Sequence, residues 1–459
     1  MTGTPISLRL VAAAFLVAAI ALPGFAQRGS ADFTRYVALG DSYGAGYSND
    51  SLVISHQVFS YPAVIARQAG TPDFQQPLIS EPGIPPELIL TRLSPVTFTR
   101  KSSQNGAPIN LNLPRPYNNL SIPGARVGNL ITNTGGTQNS NPFYQIVLRG
   151  LGTAADQALA LNPTFISVWI GGNDVLGAVL AGTPAALTPI EDFTRDYNAL
   201  LDRLVAGAPN AGMIVGGVAD VTALPYANTI PPVLVNPATN QPVPGPGGQP
   251  IFFVAQLGDG TVGQLPPGSL VTLPASTFLA TGFGIPAALA PAFPTLPDVG
   301  KPLPNAVVLD PGEIAAINAR VDQVNAAISS AAAARNIPML DVQGVLDELR
   351  AGLHFAGITL DTSFLTGGIF SNDGFHPTDI GYTVIANEFI RRINDAYETE
   401  IPLASLLPFF ENNAAKTESF MWEGMPFHYN MQSWRHLMKI HEVESFVDSP
   451  QTRKVRGRR

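Results

Sequence analysis

Tyr36-Val37-Ala38-Leu39-Gly40-Asp41-Ser42-Tyr43-Gly44-Ala45-Gly46 is the stretch whose reading settles the rest of the chain. Tyr36 to Leu39 is a short apolar run rich in β-favouring residues, the length of one buried strand. Glycines at 40, 44 and 46 then allow an abrupt turn around one serine. A serine at the end of a strand in such a turn has its hydroxyl pushed out of the sheet, as a strand–turn–helix elbow presents a nucleophile. The same string also reads as a loop whose Asp41 or Ser42 caps the next helix. The choice between the two readings falls to the rest of the sequence.

Working outward, Tyr61 to Gly70 has helical apolar spacing, with Pro62 in the first turn and Gly70 as its stop. Residues 71–115 are rich in Pro and Ser and read as a long surface excursion. Tyr117 to Ile122 reads as a second strand, ending at Pro123-Gly124-Ala125-Arg126. A helix is expected over 152–161. The clearest strand is Thr164 to Ile170, stopping at Gly171-Gly172-Asn173-Asp174. Helix 190–208, strand 212–218, helix 311–336, strand 337–342 and helix 379–398 follow. Strands alternating with helices, with no hairpin signals, indicate a mostly parallel α/β sheet.

Two regions do not fit that alternation. Residues 225–304 hold 17 of the 42 prolines and almost no charge, with Phe252, Phe253, Phe278, Phe283 and Phe293. This stretch is too long for an ordinary connection and too apolar for a solvated linker. It reads as an insertion folded against the domain, in the manner of a cap. The extension over 405–459 carries Trp422, Trp434 and three of the six histidines, and ends in the basic run Arg453 to Arg459. Its role has no physical account from composition.

The chain is 459 residues long, 45% hydrophobic and 13% charged, enough for a sizeable core and too apolar for bulk disorder. A formal net charge of −8 argues against a nucleic-acid partner. The lack of cysteine excludes disulfides, thiolate zinc sites, a thiol nucleophile and a lipidated-cysteine anchor. Arg9 precedes 13 apolar residues, Leu10 to Leu22, and then Pro23-Gly24-Phe25-Ala26. The run is short of the roughly 20 residues that span a bilayer. Residues 1–26 therefore read as a secretory signal peptide, the alternative being an uncleaved anchor. Secretion, or retention in the periplasm or cell envelope, is the expected localisation.

Four blocks follow the expected strands or precede the last helix: Gly40-Asp41-Ser42, Pro123-Gly124-Ala125, Gly171-Gly172-Asn173-Asp174 and Asn372-Asp373-Gly374-Phe375-His376-Pro377. Ligands of such sheets bind at the carboxyl ends of the strands. Each block supplies one part of an acyl-transfer site. Ser42 is the nucleophile, which needs a base to take its proton. His376 is that base, and Asp373, three residues earlier, would fix its tautomer. The Ser42 and Gly124 backbone N–H groups and the Asn173 amide would serve as oxyanion donors. Each residue alone has an ordinary role as a cap or turn residue; the ordered set carries the reading. Asp310/Glu313 and Asp347/Glu348 are acids at helix starts or on solvated faces, and no metal spacing stands out.

At this point the chain resembles the SGNH hydrolases, also called the GDSL esterase/lipase family. Ser42 sits in Gly-Asp-Ser-Tyr, Gly124 in the second block with Asn119 five residues upstream, Asn173 in Gly-Gly-Asn-Asp, and Asp373 and His376 in Asp-Gly-Phe-His-Pro. The resemblance runs from about Arg35 to Ala396, within an expected hydrolase domain of 32–400. It implies a flavodoxin-like three-layer α/β/α sandwich and a serine esterase that needs no metal or other cofactor. The substrate reading is a small-molecule or lipid ester with an apolar acyl group, which the apolar insertion motivates. Peripheral contact with lipid or membrane goes with that reading, and the oligomeric state stays open. A carbohydrate O-deacetylase of the same family and a non-catalytic envelope binding protein are the alternatives.

Overall fold

The computed structural model describes residues 31–93, 96–136, 140–236, 239, 241–355, 357–411 and 427–428. The proposed signal peptide and most of the extension beyond 405 lie outside the described residues.

Four parallel strands form the central sheet: β1 (Tyr36–Gly40), β2 (Phe165–Trp169), β3 (Gly212–Gly216) and β4 (Met339–Leu340), in the order β1-β2-β3-β4. β1 and β2 run in register from Tyr36 opposite Phe165 to Gly40 opposite Trp169. Residues 118–122 lie along the free edge of β1 as a parallel bridge. Leu120 N–H donates to Ala38 C=O at 2.8 Å and Ile122 N–H to Gly40 C=O at 3.0 Å. Counting that segment as the second strand in the chain, the order across the sheet is 2-1-3-4-5, the flavodoxin-like arrangement. The chain leaves β1 for one edge and returns for β2 on the opposite side. The carboxyl ends of β1 and β2 therefore flank the switch point where such sheets bind ligands.

Both faces of β1 are buried, because a parallel sheet is covered on each side. Period-two alternation sends Tyr36 and Ala38 to one face. There they pack with Phe165 and Trp169 against α1 (Tyr61–Ala69) and the helix at Asp379–Tyr397, through Tyr61, Val64, Phe389 and Ile393. Val37 and Leu39 face the other layer. That layer contains α2 (Ala154–Ala160), α3 (Gly172–Ala181), α4 (Ile190–Gly207) and α5 (Pro311–Ala333), which bury Ala158, Val175, Leu200 and Val321 among others. α6 (Val342–Ala351) and α7 (Asp379–Tyr397) complete the sandwich.

Asp310 and Glu313 form a capping box at the start of α5: Asp310 accepts from Glu313 N–H at 2.9 Å, and Glu313 accepts from Asp310 N–H at 3.0 Å. They are helix-start residues, as the sequence reads.

One expectation is corrected. Residues 71–115 are not a surface excursion, since they contain an antiparallel pair, Leu88–Leu93 with Val96–Arg100. Leu88 and Phe98 are buried while Ile89 is exposed, the alternation of a half-covered strand that flanking prolines and threonines obscure. Further antiparallel pairs join Val254–Gln256 to Val262–Gln264 and Leu353–Phe355 to Ile358–Leu360. The 225–304 insertion is folded, with Phe253, Ala255, Leu265, Val271, Leu273 and Leu303 in the main core.

Candidate active site

β1 delivers Ser42 to the switch point at the start of a one-turn helix, Ser42–Ala45. Asp41 caps that turn, its Oδ1 accepting from Tyr43 N–H at 3.0 Å. The Ser42 carbonyl accepts from Tyr47 N–H at 3.0 Å and from the Tyr382 hydroxyl at 3.4 Å. Gly44 is required by close approach: a Cβ there would meet Ser121 Oγ at 2.2 Å. The capping role and the elbow geometry thus coexist, with Asp41 as the cap and Ser42 as the presented residue.

The loop Ser371–Pro377 carries the second cluster. His376 Nδ1 lies 2.9 Å from Asp373 Oδ2. Asp373 Oδ1 accepts from the N–H groups of Phe375 at 3.1 Å and His376 at 2.9 Å. Its Oδ2 also accepts from Asp50 N–H at 2.9 Å. Asp373 and His376 are fully buried and Ser42 is 3% exposed.

Several hydrogen bonds stitch this loop to the serine turn across more than 300 residues of sequence, three of them close to the histidine. The Tyr43 hydroxyl donates to Phe375 C=O at 2.6 Å, Ser48 Oγ to Pro377 C=O at 3.0 Å, and Asp50 N–H to Asp373 as above. The rings of Tyr43 and Tyr47 lie 5.6 Å and 4.8 Å from the His376 ring. The serine and histidine blocks therefore share one locus at the carboxyl edge of the sheet.

The other two blocks join them. Asn173 Nδ2 donates to Ala125 C=O at 2.9 Å, and Asp174 Oδ2 accepts from Val127 N–H at 3.1 Å, so the block after β2 holds the Gly124 loop. Asn119 Nδ2 donates to Gly44 C=O at 2.8 Å and ties that segment to the serine turn.

Burial shapes the charge of the site. It pushes the Asp41 carboxyl up to about 7, with the Tyr43 N–H and the charge of His376 opposing. Burial likewise raises Asp174 to about 6 against the Val127 hydrogen bond. For Asp373 burial also acts upward, but the charge and hydrogen bonds of His376 and the Asp50 N–H outweigh it, holding the carboxyl below its ordinary value.

A cleft of about 70 Å³ opens beside Ser42 and Asn173. Its walls are apolar: Leu176 from α3, Val218 and Leu224 after β3, Val345, Leu346 and Leu349 from α6, and Ile369 and Phe370. No described residue of 225–304 lines it. The insertion instead braces the histidine loop. Tyr226 N–H donates to Gly374 C=O at 2.8 Å, and the Tyr226 and Phe375 rings meet edge-on at 5.1 Å. Gly374 has φ of 84°, and a Cβ on it would meet Leu273 Cδ1 at 2.7 Å. Among the described residues no group of three or more His, Asp or Glu side chains is arranged to hold a metal ion.

Tyr43, Tyr47 and Asp50 have no role that the sequence alone assigns. Tyr47-Ser48-Asn49-Asp50 follows the serine by only a few residues, and polar residues in so tight a string were the available signal.

The family model for GDSL-like Lipase/Acylhydrolase matches residues 36–389, which takes in all four blocks. The chain belongs to that family. It is therefore a carboxylic-ester hydrolase with the fold its sheet order indicates. Among curated proteins none matches the chain. Among solved structures, the family member is similar to a lipase/acylhydrolase from Enterococcus faecalis, at 12% identity and a TM-score of 0.33 over 81% of this chain and 100% of that one. It is similar to an extracellular lipase from Streptomyces rimosus, at 16% identity and a TM-score of 0.32 over 79% of this chain and 98% of that one. An acetylxylan esterase from Geobacillus stearothermophilus is similar at 11% identity and a TM-score of 0.33, over 78% of this chain and 93% of that one.

Proposed function

We propose that this hydrolase cleaves esters with an apolar acyl group through Ser42, His376 and Asp373. The Ser42 hydroxyl attacks the ester carbonyl carbon while His376 Nε2 takes its proton. Asp373 keeps the other ring nitrogen protonated and balances the imidazolium charge. The N–H groups of Ser42 and Gly124 and the Asn173 amide receive the oxyanion. His376 returns the proton to the departing alcohol, leaving an acyl-enzyme. Water, deprotonated by His376, then releases the acid and restores the serine.

The observation that carries this reading is the apolar cleft that begins at Ser42, beside a histidine–aspartate pair bonded to the same turn. The acyl preference rests on the cleft walls from α3, α6 and 218–224 rather than on the insertion. Each methylene buried there is worth about 0.8 kcal/mol, roughly fourfold in kcat/KM. A series of nitrophenyl esters should therefore rise by about that factor per methylene from acetate to butyrate. A sharp optimum at acetate, on acetylated xylan rather than on the nitrophenyl series, would favour the O-deacetylase reading instead.

Asn173→Ala should lower kcat by on the order of 10²–10³ with little change in KM, because the donor acts on charge that exists only in the transition state. A proportional rise in KM at constant kcat would remove Asn173 from that role. We further propose that the enzyme is exported, from the charge and apolar run of residues 9–26. Amino-terminal sequencing of the protein recovered outside the cytoplasm would show whether the leader is removed.

A further inference from the structure

Behind Asp373 lies a second buried acid that the reaction as written does not use. Asp50 is fully buried and forms an ion pair with Arg100, which is 14% exposed and ends the strand Val96–Arg100. Arg100 Nη1 also donates to Asp50 C=O at 3.0 Å and to Pro86 C=O at 2.7 Å. The guanidinium thus grips both the carboxylate and the backbone of one residue. Asn49 and Asp50 have φ of 52° and 51°, left-handed values uncommon outside glycine and best tolerated by Asn and Asp. That conformation aims Asp50 N–H at Asp373 Oδ2, the oxygen that also faces His376 Nδ1. The Tyr47 hydroxyl donates to Asp50 Oδ1 at 3.0 Å, and its ring lies against His376.

We propose that Asp50 and Arg100 are positioning residues for the histidine–aspartate pair: Arg100 clamps the Asn49–Asp50 turn, whose N–H orients the Asp373 carboxylate, and the two opposite charges balance beside it. The inference rests on the Ser42–His376–Asp373 reading and adds to it a dependence on the Leu88–Arg100 hairpin. Neither residue lines the cleft, so their loss acts on turnover rather than on substrate binding.

The charges supply a test of sign. His376 faces Asp373 on its own loop, and Asp41, Tyr43 and Tyr47 on the serine turn, with Tyr382 of α7 bonded to that turn. Asp50 faces Arg100, Tyr47 and Asp373. Arg100→Gln removes the charge that lowers the Asp50 carboxyl, which burial already pushes up to about 6, so Asp50 takes a proton and leaves no net charge beside Asp373. Asp50→Asn leaves the Arg100 charge unbalanced and disfavours the imidazolium.

Wild type, Arg100→Gln, Asp50→Asn, the double variant and Arg100→Lys are compared by kcat/KM against pH on nitrophenyl butyrate. Ser42→Ala and melting curves accompany them. The acidic limb should move down by about half a pH unit or more in Asp50→Asn, which leaves the Arg100 charge alone, and by much less in Arg100→Gln, where Asp50 protonates. The limb should return towards wild type in the double variant and stay in place in Arg100→Lys. kcat in the two neutralised single variants should fall by about tenfold at nearly constant KM, the scale of losing an outer partner of a reacting residue. If Arg100→Gln does not fold, Asp50→Asn against Arg100→Lys carries the same comparison. A limb that stays put or moves up in Asp50→Asn, or that moves as far in Arg100→Gln, would overturn the positioning role; an inactive Ser42→Ala would then leave the serine mechanism standing. Full activity in Ser42→Ala would overturn both.

Discussion

Ser42→Ala should lower kcat on a short-chain nitrophenyl ester by on the order of 10⁶, the expected cost of deleting the nucleophile from a serine–histidine site. The size follows from the chemistry: without the oxygen no acyl-enzyme forms, and the remaining donors act only on direct attack by water. The fold should not notice the change. The anchors of the turn are the Ser42 carbonyl, bonded by Tyr47 N–H, and the Asp41 cap on Tyr43 N–H. None of them uses the Ser42 hydroxyl. The melting temperature and KM should therefore stay close to wild type, while covalent labelling by a fluorophosphonate disappears. Turnover near the wild-type value, with the protein folded, would place the reaction elsewhere.

The parts of this site that were legible in the sequence share a physical cause. Tyr36–Leu39 and Phe165–Trp169 are strands buried on both faces, so their apolar runs are continuous and end sharply where the chain turns to polar residues. Two of the four blocks stand at those ends, and the Gly124 and His376 blocks are loops that reach the same carboxyl edge, where backbone donors and short loops converge. The cleft walls were not legible. Leu346 and Leu349 sit on α6, whose sequence resembles any amphipathic surface helix, and only the tertiary fold turns that face towards Ser42. The apolar insertion invited the opposite assignment, because apolar composition reports burial but not what is buried against what. Tyr226 and Leu273 spend theirs on the histidine loop. The Leu88–Arg100 hairpin is hidden in the sequence for a related reason: only one of its faces is covered, and prolines on either side mask the alternation.

Asp373→Asn is the substitution that separates geometry from charge. The amide has the shape of the carboxylate, and its oxygen still accepts from the Phe375 and His376 N–H groups if it takes the Oδ1 position. Its NH₂ then occupies the Oδ2 position, facing both His376 Nδ1 and Asp50 N–H. Two donors meet at Asp50, and the imidazole must offer its Nδ1 lone pair. The proton moves to Nε2, the atom that has to receive one from Ser42, and kcat falls by about 10⁴.

Stability should change with a definite sign. Asp373 is held below its ordinary value in the fold, so it stabilises the protein above the unfolded-state value near 4. That contribution is lost as the pH falls through the lower folded value. The variant should therefore melt below wild type at pH 7, and the two curves should converge as the medium is made strongly acidic. Ser42→Ala, by contrast, should lose activity with no such pH-dependent gap in melting. A variant within tenfold of wild-type kcat would remove Asp373 from the catalytic role and leave His376 to be oriented by the Tyr43 and Tyr47 rings packed against it, and a melting gap that widens towards acid would remove it from the stabilising one.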